Sequence, residues 1–302
     1  MEKILFVDQL TIEEKETKKH VLSNVTFDVK NNSCLGIFGP SGSGKTTLLT
    51  TIMQICHPSL QTTGEIRYVT NTGIEQIIQT KDETNKKIKL SYDFSFIPQN
   101  AIEAFDPIEK MGKQLEETFI ENQLDKVQAK QRISTLLKKM ELPESILTKY
   151  PLDKVQAKQR ISTLLKKMEL PESILTKYPF QLSGGTLQRC AIGLAIEMRT
   201  KVIIADEPTS SLDSLNKKKI VDLFFELKKN NQTTILIATH DIEILDFLSD
   251  EVLVMVDGKK VEQKETNPLD ENDQTYLGAI RKKNRKISAP FWRLKNEKMA
   301  RS

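Results

Sequence analysis

Short apolar runs bounded by turn-forming residues alternate along this chain with longer segments whose apolar positions recur every three or four residues. The runs at 3–7, 25–29, 35–38, 94–97, 202–205, 234–239 and 252–256 read as strands. Several are apolar at nearly every position, as strands covered on both faces are. Helix-period segments fall at 46–55, 111–123, 184–199, 215–229 and 242–248. Alternation of this kind predicts an α/β domain built on a mostly parallel sheet with helices on both faces. The early strands, flanked by polar turns, predict an antiparallel sub-sheet beside it. The polar stretch 70–89 reads as a solvated hairpin excursion and Asp257-Gly258 as a turn. Beyond that turn the chain becomes polar, and past Ile280 disorder is expected.

One region breaks the pattern. Residues 124–151 recur letter for letter as 152–179. Two copies are fewer than a stacked-repeat architecture needs. Identity without divergence therefore marks a recent tandem duplication or an assembly error. Each 28-residue copy is amphipathic: Val127, Ile133, Leu136, Leu137 and Met140 form a helical stripe that Pro143 stops. One copy is expected to dock and the other to extend a helix or pack poorly on the surface. The second leads straight into Leu182-Ser183, so it is the one expected to dock.

Composition narrows the class. The chain has 302 residues, 38% hydrophobic and 28% charged, enough for one large domain or two modest ones. Its net charge of +4 is carried by the end: residues 281–302 hold nine Lys/Arg and one Glu, and the remainder sums to −4. That is a near-neutral body with a basic tail, not a nucleic-acid binder. Within the tail Phe291, Trp292 and Leu294 are interleaved with the basic residues. It reads either as a solvated end or as a contact for anionic lipid headgroups. No apolar run approaches the ~18 residues of a membrane span. The start does not read as a signal peptide, so a cytoplasmic protein is expected. Cys34, Cys56 and Cys190 are odd in number and widely spaced, which predicts buried thiols rather than a disulfide framework or zinc site. His57, beside Pro58, reads as structural.

The chemistry lies in an ordered series of motifs. Strand 35–38 runs into Gly39-Pro40-Ser41-Gly42-Ser43-Gly44-Lys45-Thr46-Thr47, then a helix, which is the setting a phosphate loop requires. Glycines let backbone N–H groups wrap a β-phosphate, the helix N-terminus adds a favourable dipole, and Lys45 reaches the β/γ oxygens. Thr46 is placed to ligate Mg²⁺. Strand 202–205 ends in Asp206-Glu207: Asp206 can hold Mg²⁺ directly or through water, and Glu207 is then the base or positioner for the attacking water. Ser183 can cap the helix that begins at Gly184, leaving free N–H groups for an anion. His240 ends an apolar strand, in reach of the γ-phosphate or of the water near Glu207.

Leu182-Ser183-Gly184-Gly185, followed by Leu187-Gln188-Arg189, resembles the signature of ATP-binding-cassette (ABC) ATPases. Ser210-Ser211-Leu212-Asp213 resembles their D-loop, Gln99 their Q-loop glutamine and His240 their switch histidine. The resemblance covers roughly residues 1–260, excluding one repeat copy. It implies a P-loop NTPase fold with a RecA-like core, an antiparallel β subdomain and a helical subdomain at about 100–200 that contains the repeat, with 261–302 as a C-terminal extension. It implies MgATP as ligand, with Thr46, Gln99 and Asp206 attending the metal. Ser183, Gly184, Gly185 and Asp213 would contribute to the nucleotide site, the signature loop gripping ATP held by a second ABC ATPase chain. Ala205 before Asp206-Glu207, and Ala104-Phe105-Asp106-Pro107 with Gly112-Lys113-Gln114, resemble the oligopeptide, dipeptide and nickel importer branch. That branch implies two membrane permeases, indirectly a substrate-binding protein, and a place on the cytoplasmic face of the membrane. Alternatives are a non-transport ABC ATPase of translation or repair type, or a P-loop kinase. Two departures predict weak ATP binding: residues 11–20 offer no aromatic to stack on adenine, only His20, and Thr186 stands where the family commonly has glutamine.

Overall fold

The computed structural model describes residues 2–70, 75–79, 93–121, 152–230, 233–266 and 275–285. The chain forms two compact units, Met1–Phe96 with Lys201–Ser302, and Ile97–Thr200. Among the described residues no helix is long and apolar enough to cross a membrane.

The first unit is built on two sheets. β1 (Lys3–Glu14), β2 (His20–Lys30), β4 (Leu60–Val69) and β5 (Glu75–Gln79) form a four-stranded antiparallel sheet in the order β2-β1-β4-β5. The sequence of β1 explains a fault in its register. Leu5 and Val7 alternate inward, Asp8-Gln9 interrupts, and Leu10 and Ile12 resume one phase out; all four apolar side chains are buried. A bulge between Val7 and Leu10, with Gln9 at φ 49°, restores the apolar side to the core. On β4, Gly64 sits against the bulge at φ +105°, where a Cβ would lie 2.6 Å from the Gln9 carbonyl oxygen, so only glycine fits.

The second sheet has six strands. β3 (Cys34–Phe38), β6 (Phe94–Ile97), β7 (Val202–Asp206), β8 (Thr234–Ala238), β9 (Glu251–Val256) and β10 (Lys259–Glu265) lie in the order β10-β9-β3-β8-β7-β6. β9, β3, β8 and β7 are parallel, and β10 joins antiparallel through the Asp257-Gly258 turn, both of whose residues have positive φ as a tight hairpin demands. Every residue of β3, β7 and β8 is buried, which accounts for their unbroken apolar runs. The core joins Leu35, Ile37, Ile204 and Leu236 with Leu48, Leu49 and Ile52 of α1 (Lys45–Ile52) and the inner face of the antiparallel sheet. Around this sheet lie α5 (Ser214–Asn230), α6 (Ile242–Leu248) and α7 (Tyr276–Arg285).

The second unit packs α2 (Met111–Glu121) on α3 (Leu152–Lys167), and α3 on α4 (Gly184–Glu197). α3 belongs to the second repeat copy, whose Ile161, Leu164, Leu165, Met168, Leu170 and Ile174 are buried. Gly193 of α4 lets this helix close in: a Cβ there would lie 2.7 Å from Met168 Cγ. Arg160 lies over the Phe119 ring and donates to the Glu197 carbonyl, while Arg189 donates to the Met168 carbonyl (3.1 Å) at the end of α3. The first repeat copy lies outside the described residues, as do the basic tail beyond Arg285 and most of 70–89.

The predicted strands are all present, extended at β1 and β2. The structure adds β4, β5 and β10, and α7 carries helix five residues past Ile280, where disorder was expected. Arg281 is why: 5% exposed, it bonds Asp246 of α6 and ties α7 down. Cys34 and Cys190 are buried, but Cys56 is partly exposed and shares a hydrogen bond with Thr51 (2.7 Å), a correction to the expectation of three buried thiols.

Candidate nucleotide site

The loop 39–44 leaves the C-terminal end of central strand β3 and opens α1, where ligands of open α/β sheets bind. Its glycines are there for close approach. A Cβ on Gly39 would meet the Met255 carbonyl oxygen at 2.2 Å, and one on Gly44 (φ +91°) the Leu22 side chain at 2.4 Å. Gly42 (φ +80°) has nothing within 4 Å of its Cβ position and faces open space. The Lys45 ammonium donates to the carbonyls of Gly39 (2.8 Å) and Pro40 (3.0 Å), so the positive charge is held inside the loop's curve. The Ser43 hydroxyl, in a residue 1% exposed, is buried without a partner among the described residues. Pro40 and Ser41 are exposed, Thr47 half-buried.

Thr46, at the first turn of α1, donates its hydroxyl to Asp206 Oδ2 at 2.6 Å. Asp206 ends β7 and is 1% exposed, and its Oδ1 has no partner among the described residues. Burial raises its pKa and Glu207 adds to the rise, against the Thr46 hydrogen bond and the Lys45 charge. A buried carboxylate with an orphaned oxygen beside a threonine hydroxyl is an all-oxygen set suited to a hard divalent cation. The residues fit Mg²⁺.

Glu207 takes a left-handed conformation (φ 44°), and its N–H is fixed on the Ala238 carbonyl (2.9 Å). This turn brings its carboxylate to the end of β8. Oε1 accepts from the His240 N–H (3.1 Å) and meets His240 Nδ1 at 2.9 Å; Oε2 accepts from the Thr239 hydroxyl at 3.3 Å. The His240 side chain is 72% exposed while that of Glu207 is 10% exposed, so a carboxylate anchored from behind carries a movable imidazole in front. Asp213 caps α5, its Oδ1 accepting from the N–H groups of Leu215 and Asn216 (3.0 Å each). Those bonds, Asn216's first, lower its pKa.

The first unit therefore holds Lys45 in the loop, Thr46 bonded to Asp206 and Glu207 bonded to His240, with Lys45 and Glu207 both acting through their charge on Asp206. Gln99, Ser183, Gly184 and Gly185 belong to the second unit. There Gln99 is exposed two residues after β6, and Ser183 caps α4, its Oγ accepting from the Thr186 N–H at 3.2 Å. Nothing lies within 4 Å of a Cβ on Gly184, so the tip of α4 has an open face. His20 is exposed at the start of β2, near Glu13. The Thr239 hydroxyl has no role in the motif reading; a β-branched hydroxyl ending a buried strand beside the histidine was the available signal.

Site and fold together define a phosphate-loop ATPase. The family model described as ABC transporter matches residues 22–210, and the chain belongs to that family; it is an ATP-binding ATPase. The metal-staphylopine import system ATP-binding protein CntD of Staphylococcus aureus (strain NCTC 8325 / PS 47) is 29% identical, over 86% of this chain and 85% of its own. The dipeptide transport ATP-binding protein DppD of Caldanaerobacter subterraneus subsp. tengcongensis is 30% identical, over 85% of this chain and 71% of its own. Among solved structures, a bacterial ABC transporter cassette determined as a dimer superposes with TM-score 0.66 at 25% identity, covering 87% of this chain and 99% of its own.

Proposed function

We propose that this chain is the energy-supplying subunit of an importer for peptides or metal chelates, working as a pair with a second ABC ATPase chain beneath two membrane permeases. Of the relatives named above, one is an ATP-binding protein of a metal-staphylopine import system and the other of dipeptide transport, which favours an importer over a translation or repair role. A substrate-binding protein on the far side would select the cargo, and the chain would sit peripherally on the cytoplasmic face.

The observation that carries the proposal is the Glu207 carboxylate, held by Thr239 and His240 beside a buried Asp206. Glu207 is placed to orient and polarise the attacking water, and His240 to share its proton at Nδ1. Lys45 exchanges its two loop carbonyls for phosphate oxygens, a trade of neutral acceptors for charged ones that favours the bound state. Thr46 and Asp206 would hold Mg²⁺, with Gln99 attending; bound there, the ion neutralises phosphate charge. Gly39, Pro40, Ser41, Gly42, Ser43, Gly44 and Thr47 line the phosphate turn. Ser183, Gly184 and Gly185 of each chain would close on the triphosphate of the other, and Asp213 would contribute to the same nucleotide site. Gly184's open face supports that role, since a side chain there would stand between the helix tip and its ligand.

Glu207→Gln should bind MgATP without turnover and accumulate the closed pair, read by light scattering alongside its companion chain. A variant that turns over normally, or stays single when saturated, would overturn the proposal.

A further inference from the structure

The network behind Glu207 extends beyond Thr239 and His240. The Thr239 hydroxyl, 1% exposed, donates to Glu207 Oε2 and accepts from the Asp241 N–H at 3.1 Å. One hydroxyl proton serves one acceptor, so the direction of this chain is fixed. Asp241 caps α6 through Oδ1, which accepts from the N–H groups of Glu243 (2.9 Å) and Ile244 (3.4 Å). Its other oxygen pairs with Lys217 Nζ. Lys217 stands on the first turn of α5, and its own N–H donates to the Asp213 carbonyl at 2.8 Å. A continuous path therefore runs from Glu207 to the Asp213 turn.

We propose that Lys217, Asp241 and Thr239 are positioning residues, a strut that sets the Glu207 carboxylate from the N-terminus of α5. The inference rests on the reading of Glu207 as the residue that orients water. The His240 ring is a poor anchor, because it is mostly in solvent; its backbone N–H holds Oε1, and Thr239 holds Oε2. The Thr239 side of the carboxylate is buried, and its geometry depends on where Asp241 is held. Two elements claim Asp241, α6 through its cap and α5 through Lys217. Removing the Lys217 charge leaves the cap intact but frees Asp241 from α5, so the Thr239 hydroxyl loses its fixed aim. A shift of the Asp213 turn, as when a second chain docks against it, reaches Glu207 by the same path.

The test is steady-state ATP hydrolysis by the full chain over a range of MgATP concentrations. Lys217→Met should lower kcat about three- to tenfold, the scale of a half-shielded ion pair acting on a barrier, with KM and melting temperature unchanged. Lys217→Arg should restore kcat. Thr239→Val should also lower kcat, and the double variant should fall no further than Thr239→Val alone, because both changes cut one path. Should methionine compromise folding, Lys217→Gln serves for the same comparison. A Lys217→Met enzyme with unchanged kcat, failure of arginine to rescue, or losses that multiply in the double variant would each overturn the strut. Glu207→Gln separates the levels. If it is inert while Lys217→Met is normal, only the strut fails; if it hydrolyses normally, the reading of Glu207 fails first.

Discussion

Replacing Asp206 by asparagine should stabilise the nucleotide-free protein while disabling it. Asp206 is 1% exposed, Thr46 donates to one of its oxygens, and the other is buried without a partner among the described residues. Leaving such a group unsatisfied costs about 1–3 kcal/mol, more when it is charged. The asparagine variant keeps the shape and sheds the charge, but its Nδ2 still lacks an acceptor, so it should recover only the part due to charge, about 1 kcal/mol. For a domain of this size that is a rise in melting temperature of roughly 2–4 °C. The pH dependence has a definite sign. Burial raises the Asp206 pKa in the folded state, so the native protein holds this proton more tightly than the unfolded chain. The penalty is complete above the raised folded-state value and disappears as pH falls towards the ordinary carboxylate range. The variant's advantage should thus be full at pH 8 and shrink on acidification. MgATP should reverse the order: wild type gains about 2.7 kcal/mol at a hundredfold excess over Kd, and the variant gains less. Thermal melts of both proteins at several pH values, with and without MgATP, make the comparison. A variant that melts at or below wild type at pH 8 without nucleotide would refute the burial argument.

Two further outcomes follow from local geometry. Gly42→Ala should cost about 1–2 kcal/mol for its positive φ alone, whereas Gly44→Ala should add about 1–3 kcal/mol by forcing a methyl against buried Leu22. Equal denaturation midpoints would remove the steric explanation. Burial lifts the Cys34 and Cys190 thiols to about 12, so a thiol-specific reagent at pH 8 should modify partly exposed Cys56 first. Peptide mapping that finds Cys34 or Cys190 labelled equally fast would contradict this.

How much of this could be read from the residues depended on what each element buries. β3, β7 and β8 were legible because both faces are covered and nearly every position must be apolar. β10, Lys-Lys-Val-Glu-Gln-Lys-Glu, was not: a charged edge strand protects itself from mispairing by abandoning the apolar signal. β4 was masked by Gly64, which reads as a breaker and instead accommodates the bulge at Gln9. In the site, the order of motifs identified the phosphate loop, Asp206 and Glu207. The Thr239–Asp241–Lys217 path was hidden because Lys217 lies 24 positions from Asp241 and only the β8–α6 and β7–α5 connections bring them together.

The duplicated segment poses a problem of address. α3 and the turns after it fill one berth, yet the chain contains two segments of identical chemistry that fit it. Contacts within the berth cannot distinguish them. What differs is the next few letters: the second copy, ending at Pro179, continues Phe180-Gln181, while the first, ending at Pro151, continues Leu152-Asp153. Gln181 accepts the Tyr178 N–H at 2.9 Å, closing the turn that delivers Ser183 to the tip of α4. Only the second copy is followed by that glutamine, so the turn leading into Ser183 is closed by a residue that the duplication did not copy.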